Sequence, residues 1–465
     1  MTQRPTGRAG TLPPNGNTTD RVRIGAGAGF SGDRIEPAVV LAERGELDFL
    51  VFECLAERTM ALAQQEKLKD PDQGFDPRLL ERMRALLALC HGKRIRIITN
   101  AGAANPRAAA RAILAVAGEL GLAGLKVAAV TGDDVLAHVR EHITAYSTTH
   151  PALAALEARI VSANAYLGAD SIVQALDDGA DVVVTGRVAD PSLFLAPLVH
   201  RFRWPMVDWP LLGRGILVGH LLECAGQLTG GYFADPPANT VPDMADLGFP
   251  LAEVTAEGVA TFSKVAGTGG LLSVATCTEQ LLYEVHDPAA YLTPDVTADF
   301  SAVRFTQTAE NVIRAQGASG GPRPEHLKVM VAYRDGYIGE GQLSYAGPGA
   351  EARARLAGEI VRHRLRSAGV HDSELRCELI GLDSIARTPP QRPGTTPREV
   401  RLRIAGRVSD PRAAARIGGE VEALYTNGPA AGGGAVKSVR EVIGLLPISV
   451  PRQAVRPLVT TETTR

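Results

Sequence analysis

Aromatic side chains make up only 5% of the 465 residues, so stacking platforms for nucleic-acid bases are scarce. The five cysteines (Cys54, Cys90, Cys224, Cys277, Cys377) are scattered and never form a C-x-x-C pair. That argues against both a disulfide framework and a thiolate zinc site. Charge of one sign is missing as well. Lys plus Arg number 49 against 51 Asp plus Glu, so no global basic field exists to hold nucleic acid or an anionic membrane by counterion release. No apolar run approaches the roughly 20 residues that span a bilayer, and the first twenty residues lack the apolar core of a signal peptide. The expectation is a cytoplasmic chain with neither nucleic acid nor membrane as partner. H-E-x-x-H and the kinase motif set are also missing, which sets aside zincin and kinase chemistry.

What is present describes a folded, multidomain chain. At 49.0 kDa it exceeds one ordinary core, and 45% hydrophobic with 22% charged residues is a normal globular balance. Residues 1–20, rich in Pro, Gly, Thr and Asn, read as a disordered leader. From Arg21 short apolar runs alternate with amphipathic stretches, the signature of βαβ units on a parallel sheet. Candidate strands are Val22–Ala26, Asp48–Glu53, Arg94–Thr99, Lys126–Val130, Arg159–Ala163 and Asp181–Thr185. Candidate helices Arg34–Arg44, Pro106–Leu120 and Ser171–Asp178 each stop at a glycine. The predicted fold class is α/β, with a parallel, doubly wound open sheet over residues 21–255. Its six strand-end loops are expected to converge on one crevice.

Beyond residue 255 the texture turns β-rich, and a smaller α+β domain is expected over residues 256–465. Arg334-Asp335-Gly336-Tyr337 reads as a hairpin turn. Two rounds of strand, helix and strand, linked by Thr388–Pro397, suggest a weak internal duplication.

Chemistry-bearing residues sit mostly at the strand ends. Gly27-Ala28-Gly29-Phe30-Ser31-Gly32 fits G-x-G-x-x-G, with Glu53 21 residues on. The turn can hold a dinucleotide pyrophosphate, hold another substrate phosphate, or be a tight turn without ligand. Asn100 and Asn164 are placed as hydrogen-bond donors. Asp133 and Asp134 can move protons, bind a divalent cation or cap the next helix. On the loop Thr185–Ser192, Arg187 can clamp a substrate anion bidentately or pair with Asp190, and Ser192 can donate to ligand. In the apolar stretch Gly215–Leu228, read as a helix, His220 and Glu223 lie three residues apart on one face. They suit proton transfer, a metal pair, or a buried structural histidine. Lys264 with the Gly-rich turn through Gly269 can cradle a phosphate. Glu279, Glu284, His286 and Asp287 read mainly as the polar face of a helix.

Taken together, GAGAGFSGDR (25–34), LDFLVFECLAERTMALAQ (47–64), TNAGAANP (99–106), TGDD (131–134), ANAYLGAD (163–170), DVVVTGRVADPSLFLAPL (181–198), GHLLECAGQLTGGYFADP (219–236), GTGG (267–270) and EQLLYEVHDPAAYLTPDV (279–296) resemble the acyclic terpene utilisation (AtuA-like) family. The resemblance implies a place in catabolism of citronellol and geraniol, whose acids are handled as coenzyme A thioesters. It assigns no residue a catalytic role. Longer members carry a small ferredoxin-like module, which for this chain implies a separate small partner protein.

The leading expectation is a homo-oligomeric metabolic enzyme of hydratase or lyase type. It would act on a branched, isoprenoid-like acid or its acyl-CoA thioester, with no required cofactor beyond coenzyme A carried by the substrate. Hydration, dehydration or C–C lysis needs an acid–base pair and a carbonyl polariser. Glu53, Asp133, Asp134, His220 and Glu223 are the proton-transfer candidates. Gly27, Gly29, Ser31, Asn100, Asn164, Arg187, Asp190, Ser192, Lys264 and Gly269 are the binding candidates. The alternatives are an NAD(P)-dependent oxidoreductase using the Gly27–Gly32 turn and an acyl-CoA-binding scaffold subunit.

Overall fold

The computed structural model describes residues 21–371, 374–385 and 397–464. The expected leader and nearly all of the Thr388–Pro397 link lie outside them. The chain begins β1 (Arg21–Ala28), α1 (Glu36–Arg44), β2 (Phe49–Phe52), α2 (Glu57–Lys69), α3 (Leu79–Lys93), β3 (Arg96–Thr99), α4 (Pro106–Glu119) and β4 (Lys126–Thr131). It continues α5 (Leu136–Glu141), α6 (Ile143–Thr149), α7 (Ala152–Leu156), β5 (Ile160–Ala165), α8 (Asp170–Asp177), β6 (Val182–Thr185), α9 (Ser192–Phe202) and α10 (Trp209–Leu222). Strands β2 and β6, FLVF and VVVT, are buried at every residue, as strands covered on both faces must be.

β1, β2, β3, β6 and β4 lie side by side in that order, all parallel. From β1 to β4 the chain advances one way, and α1, α3 and α4 pack against one another. β6 then steps back between β3 and β4, and α8, α9 and α10 form a second packed group. The predicted strand Arg159–Ala163 exists as β5 but does not join this sheet. β6 lies between β3 and β4, and β5 pairs with a later strand, β14 (His326–Ala346). Apolar periodicity marks a buried strand without saying which sheet buries it.

The sheet is mixed rather than parallel throughout. β7 (Pro250–Thr255) and β8 (Ala260–Lys264) extend it antiparallel from β1. After α11 (Val274–Leu282) come β9 (Tyr291–Leu292), β10 (Thr297–Asp299), β11 (Arg304–Ala309), β12 (Val312–Gln316) and β13 (Ser319–Gly321). β12 and β11 continue the sheet beyond β8, while β9, β10 and β13 form a small sheet of their own. The β-rich texture after residue 255 is therefore the antiparallel flank of the first sheet, and no domain boundary falls there. One compact unit holds the described residues up to His138, Asn164–Val329 and those from Ser449 on; the other holds Val139–Ala163 and Met330–Ile448. The last strand, β18 (Leu458–Thr463), returns to the first unit and pairs with β4.

The second unit runs through β14, α12 (Ala350–Ser367), β15 (Leu375–Ile380), β16 (Glu399–Val408), α13 (Pro411–Glu422) and β17 (Gly432–Pro451). The sheet order β15-β16-β14-β17 is the βαββαβ, ferredoxin-like arrangement. The expected duplication is thus two βαβ halves closing one core, with Leu343, Leu402 and Ile404 against Val361, Leu365, Ile417 and Val421. Arg334–Tyr337 is not a hairpin turn. β14 runs straight through it, with Gly336 in the left-handed region (φ 84°), and pairs with β16 from Tyr337 to Ala346. A glycine kink inside a long strand carries the same composition as a turn. Among the described residues, no helix is long and apolar enough to cross a membrane.

Candidate functional site

Parallel pairing sets the carboxyl ends of β1, β2, β3, β6 and β4 along one edge, and side chains stitch them together. Asn100, after β3, donates from Nδ2 to Glu53 Oε1, after β2, at 2.9 Å. Its Oδ1 accepts the Cys54 N–H at 2.7 Å, and the Leu55 N–H also reaches Glu53 Oε1 at 2.7 Å. Asp133, after β4, accepts on Oδ2 from Asn164 Nδ2 (2.9 Å) and from the Arg187 N–H after β6 (3.0 Å). A Cβ at Gly186 would come within 2.5 Å of Asp133 Oδ1, so only glycine fits beside it. The loop after β2 is thus tied to that after β3, and the loop after β4 to that after β6, with the end of β5 taking part through Asn164.

Arg187 is buried, and its guanidinium is turned inward to the carbonyls of Leu55 and Val188 and to the Asp190 carboxylate. Its plane lies 4.6 Å over the Tyr166 ring. The Arg187–Asp190 pair is the structural one weighed in the sequence, and the guanidinium fork braces loops rather than facing open space. Asp190 still keeps 35% of its side chain accessible, and burial raises its carboxyl pKa while Arg187 draws it down.

His220 and Glu223 meet as expected, Nδ1 to Oε1 at 2.9 Å. The imidazole is also held from its other side. His220 Nε2 is 3.1 Å from the Leu281 carbonyl in the last turn of α11, so that nitrogen carries a proton and donates it inward. The ring lies stacked near Phe300 and tilted on Tyr291, centroids 5.7 and 5.1 Å away. Both nitrogens are thus engaged, and His220 has none left for a substrate. Glu223 Oε2 is buried without a partner. Burial raises the Glu223 carboxyl to about 7; Asp190 and Glu284 push the same way, and His220 pulls it down. For His220 burial lowers the pKa, the glutamate raises it, and the net is upward.

Close backbone contacts bring these segments together. A Cβ on Gly29 would sit 2.5 Å from the Cys224 backbone, and one on Gly219 would strike the Pro191 carbonyl, next to Asp190. Glu53 joins through Leu55, whose carbonyl holds Arg187. Its carboxyl is raised to about 8 by burial and by Asp190. Asp133 is raised to about 6 by burial, its two N–H donors working against that.

Other expected positions serve their own loops. Gly27 lies within β1, packed on the Phe52 ring. The Gly29 and Arg34 N–H groups are taken by the Asp33 carboxylate at 2.9 and 2.8 Å, an internal anion where a pyrophosphate would bind. Arg82 holds the Ser31 carbonyl at 2.5 Å, α1 starts only at Glu36, and Glu53 faces Asn100, so the dinucleotide geometry is not formed. Asp134 is exposed and accepts the Leu136 N–H at 3.1 Å, which is the capping role. Lys264 Nζ donates to the Thr268 carbonyl at 2.6 Å, and a side chain on Gly269 would collide with the Asp243 carbonyl, so that turn closes on itself. Ser192 donates to Asp295 Oδ2 at 2.5 Å.

Several participants were not singled out from sequence. Asp295, wholly buried, also accepts the Ala169 N–H at 2.8 Å and pins two loops. Tyr166 donates to Glu57 Oε1 at 2.5 Å, with Lys328 Nζ 4.6 Å over its ring. Glu284 follows α11 in the left-handed region (φ 59°), off the helix on which it was expected. Tyr166 and Asp295 stand inside the strings ANAYLGAD and EVHDPAAYLTPDV, and a polar residue amid an apolar loop was the signal available. The string Gly317-Ala318-Ser319-Gly320-Gly321 fits G-x-S-x-G, but it enters strand β13 rather than a strand–turn–helix elbow.

Fold and site together define a mixed α/β protein with a buried, carboxyl-rich centre at the ends of its parallel strands. The chain belongs to the acyclic terpene utilisation family: the model of acyclic terpene utilisation family protein AtuA matches residues 22–461. No curated protein and no solved structure matches it.

Proposed function

We propose that the protein is an acid–base enzyme that adds water to, or removes it from, a branched, isoprenoid-like carboxylic acid or its coenzyme A thioester. The observation that carries this reading is Glu223, a buried carboxyl poised near pH 7 with one oxygen paired to His220 and the other unpartnered. Such a group gives a proton to a developing carbon centre or a departing hydroxyl and takes it back in the reverse direction. Glu53 supports the second requirement. Its Oε1 accepts two N–H groups, which leaves Oε2 to carry the proton that a pKa of about 8 retains at neutral pH. A neutral carboxyl in that position polarises a thioester or acid carbonyl by donating a hydrogen bond. Family membership supports the isoprenoid character of the substrate.

The test is to supply 3-methyl-2-enoyl-CoA and 3-hydroxy-3-methylacyl-CoA thioesters and the matching free acids to the full chain in 18O-water. Enoyl absorbance and product mass are followed. Label entering the 3-hydroxy product, and lost in Glu223→Gln, is the expected result. No interconversion of any pair at enzyme concentrations near the substrate's overturns the reading.

A further inference from the structure

We infer that the outer strand of the ferredoxin-like unit, β17, is a self-pairing edge that joins two copies of this chain into one continuous sheet. In the order β15-β16-β14-β17, β17 is the terminal strand, and residues 436–441 are exposed one after another. A terminal strand presents a row of backbone donors and acceptors that a second strand can complete. Val436 and Val439 are 55% and 44% exposed there, an unusual use of valine on an edge with no cover.

The order of side chains says which occupant fits. From Gly434 to Gly444 the strand reads G-A-V-K-S-V-R-E-V-I-G. Set antiparallel to itself about a two-fold axis through Val439, it places Lys437 opposite Glu441 twice and Val436 opposite Val442 twice. Val439 then faces itself, Ala435 faces Ile443, and Gly434 faces Gly444. Opposite charges and β-branched pairs directly across are the favourable cross-strand combinations. Moving the axis to Ser438 sets Val436 against Arg440 and Lys437 against Val439, and moving it to Arg440 sets that guanidinium against its own copy. The neighbouring registers are therefore penalised, and a two-fold axis makes the contact close on a dimer rather than a filament. Lys437 and Glu441 already hold intrachain partners, Glu422 at 2.5 Å and Arg334 at 3.2 Å. Exposed pairs of that kind are weak enough to be shared or exchanged.

Light scattering on the full chain should report a dimer, and Val439→Asp should shift it to monomer with thermal unfolding preserved. Lys437→Glu alone should weaken the dimer at least tenfold, and the double exchange Lys437→Glu with Glu441→Lys should restore it. In a Cys377→Ser background, Val439→Cys should form an intermolecular disulfide under mild oxidation, because the axis sets residue 439 against itself; Ser438→Cys should not. A monomer at high concentration, a dimer indifferent to Val439→Asp, or failure of the double exchange to rescue overturns the proposal.

Discussion

Asp133 and Glu223 are both buried carboxyls in the strand-end centre, and they differ in what surrounds them. Asp133 receives two N–H donors on one oxygen and lies flush against Gly186, so its charge is held by fixed dipoles. Glu223 receives only the His220 ring and faces the negative charge of Asp190 and Glu284. Burial raises both, but donors restrain the first to about 6 while like charges sustain the second at about 7. A buried acid wrapped in donors pins loops; one left short of donors beside like charges keeps a movable proton.

Arg187 tests the comparison most severely, because its backbone braces Asp133 and its guanidinium braces Asp190. Arg187→Leu removes the positive partner and leaves a carboxylate exposed to its like-charged neighbours. Loss of the partner of a fully buried charge costs about 3–5 kcal/mol, and the 35% accessibility of Asp190 lets water offset part of that. Denaturant unfolding should show that loss, together with collapse of activity; a stable, active Arg187→Leu would mean that the guanidinium is not the brace.

Glu223→Gln comes next. The amide keeps the shape and can still meet the imidazole, but it carries no transferable proton. Turnover should fall by about a hundredfold or more with the midpoint of unfolding nearly unchanged. Asp133→Asn should show the opposite pattern, activity largely kept and the pH dependence of unfolding changed, because an amide oxygen can still accept from Asn164 and Arg187 while the group no longer titrates. Its pH signature has a definite sign. The folded carboxyl titrates near 6, above the ordinary 3.8, so the folded state binds the proton more tightly and stability contributed by this group is lost as pH rises from about 4 to 6. Unfolding midpoints across that window should slope less steeply in Asp133→Asn.

The sequence revealed the strand ends better than it revealed which of their residues are free. Five of six predicted strands entered the sheet, and Glu53, Asn100, Asp133, Asn164, Arg187, Asp190, His220 and Glu223 do gather, because apolar runs and their small, polar ends dictate where parallel strands stop. What could not be read was orientation. Whether the Arg187 fork faces a ligand or a carbonyl depends on Leu55, 132 residues away. Whether His220 keeps a nitrogen free depends on the Leu281 carbonyl, 61 residues on. Such long-range backbone acceptors leave no trace in composition or spacing. The misplaced boundary at residue 255 has a similar cause: antiparallel strands that extend a parallel sheet have the same local texture as a new domain.

The finest test of the comparison separates His220 from Glu223. If Glu223 must be protonated to donate, the rate should decline as pH rises through about 7. The His220 imidazole lowers the Glu223 pKa by its hydrogen bond and its charge, whereas burial, Asp190 and Glu284 raise it. His220→Gln keeps a side chain able to reach the Leu281 carbonyl and Glu223 but removes the charge. The glutamic acid should then hold its proton to higher pH, and the alkaline limb of kcat should move upward with only a modest drop at the plateau. A proton-carrying His220 predicts instead that the plateau falls by about a hundredfold or more in that variant. A merely structural His220 predicts lost stability with the limb unmoved, so the pH–rate profile and the unfolding curve together decide which residue carries the proton and which one sets its affinity.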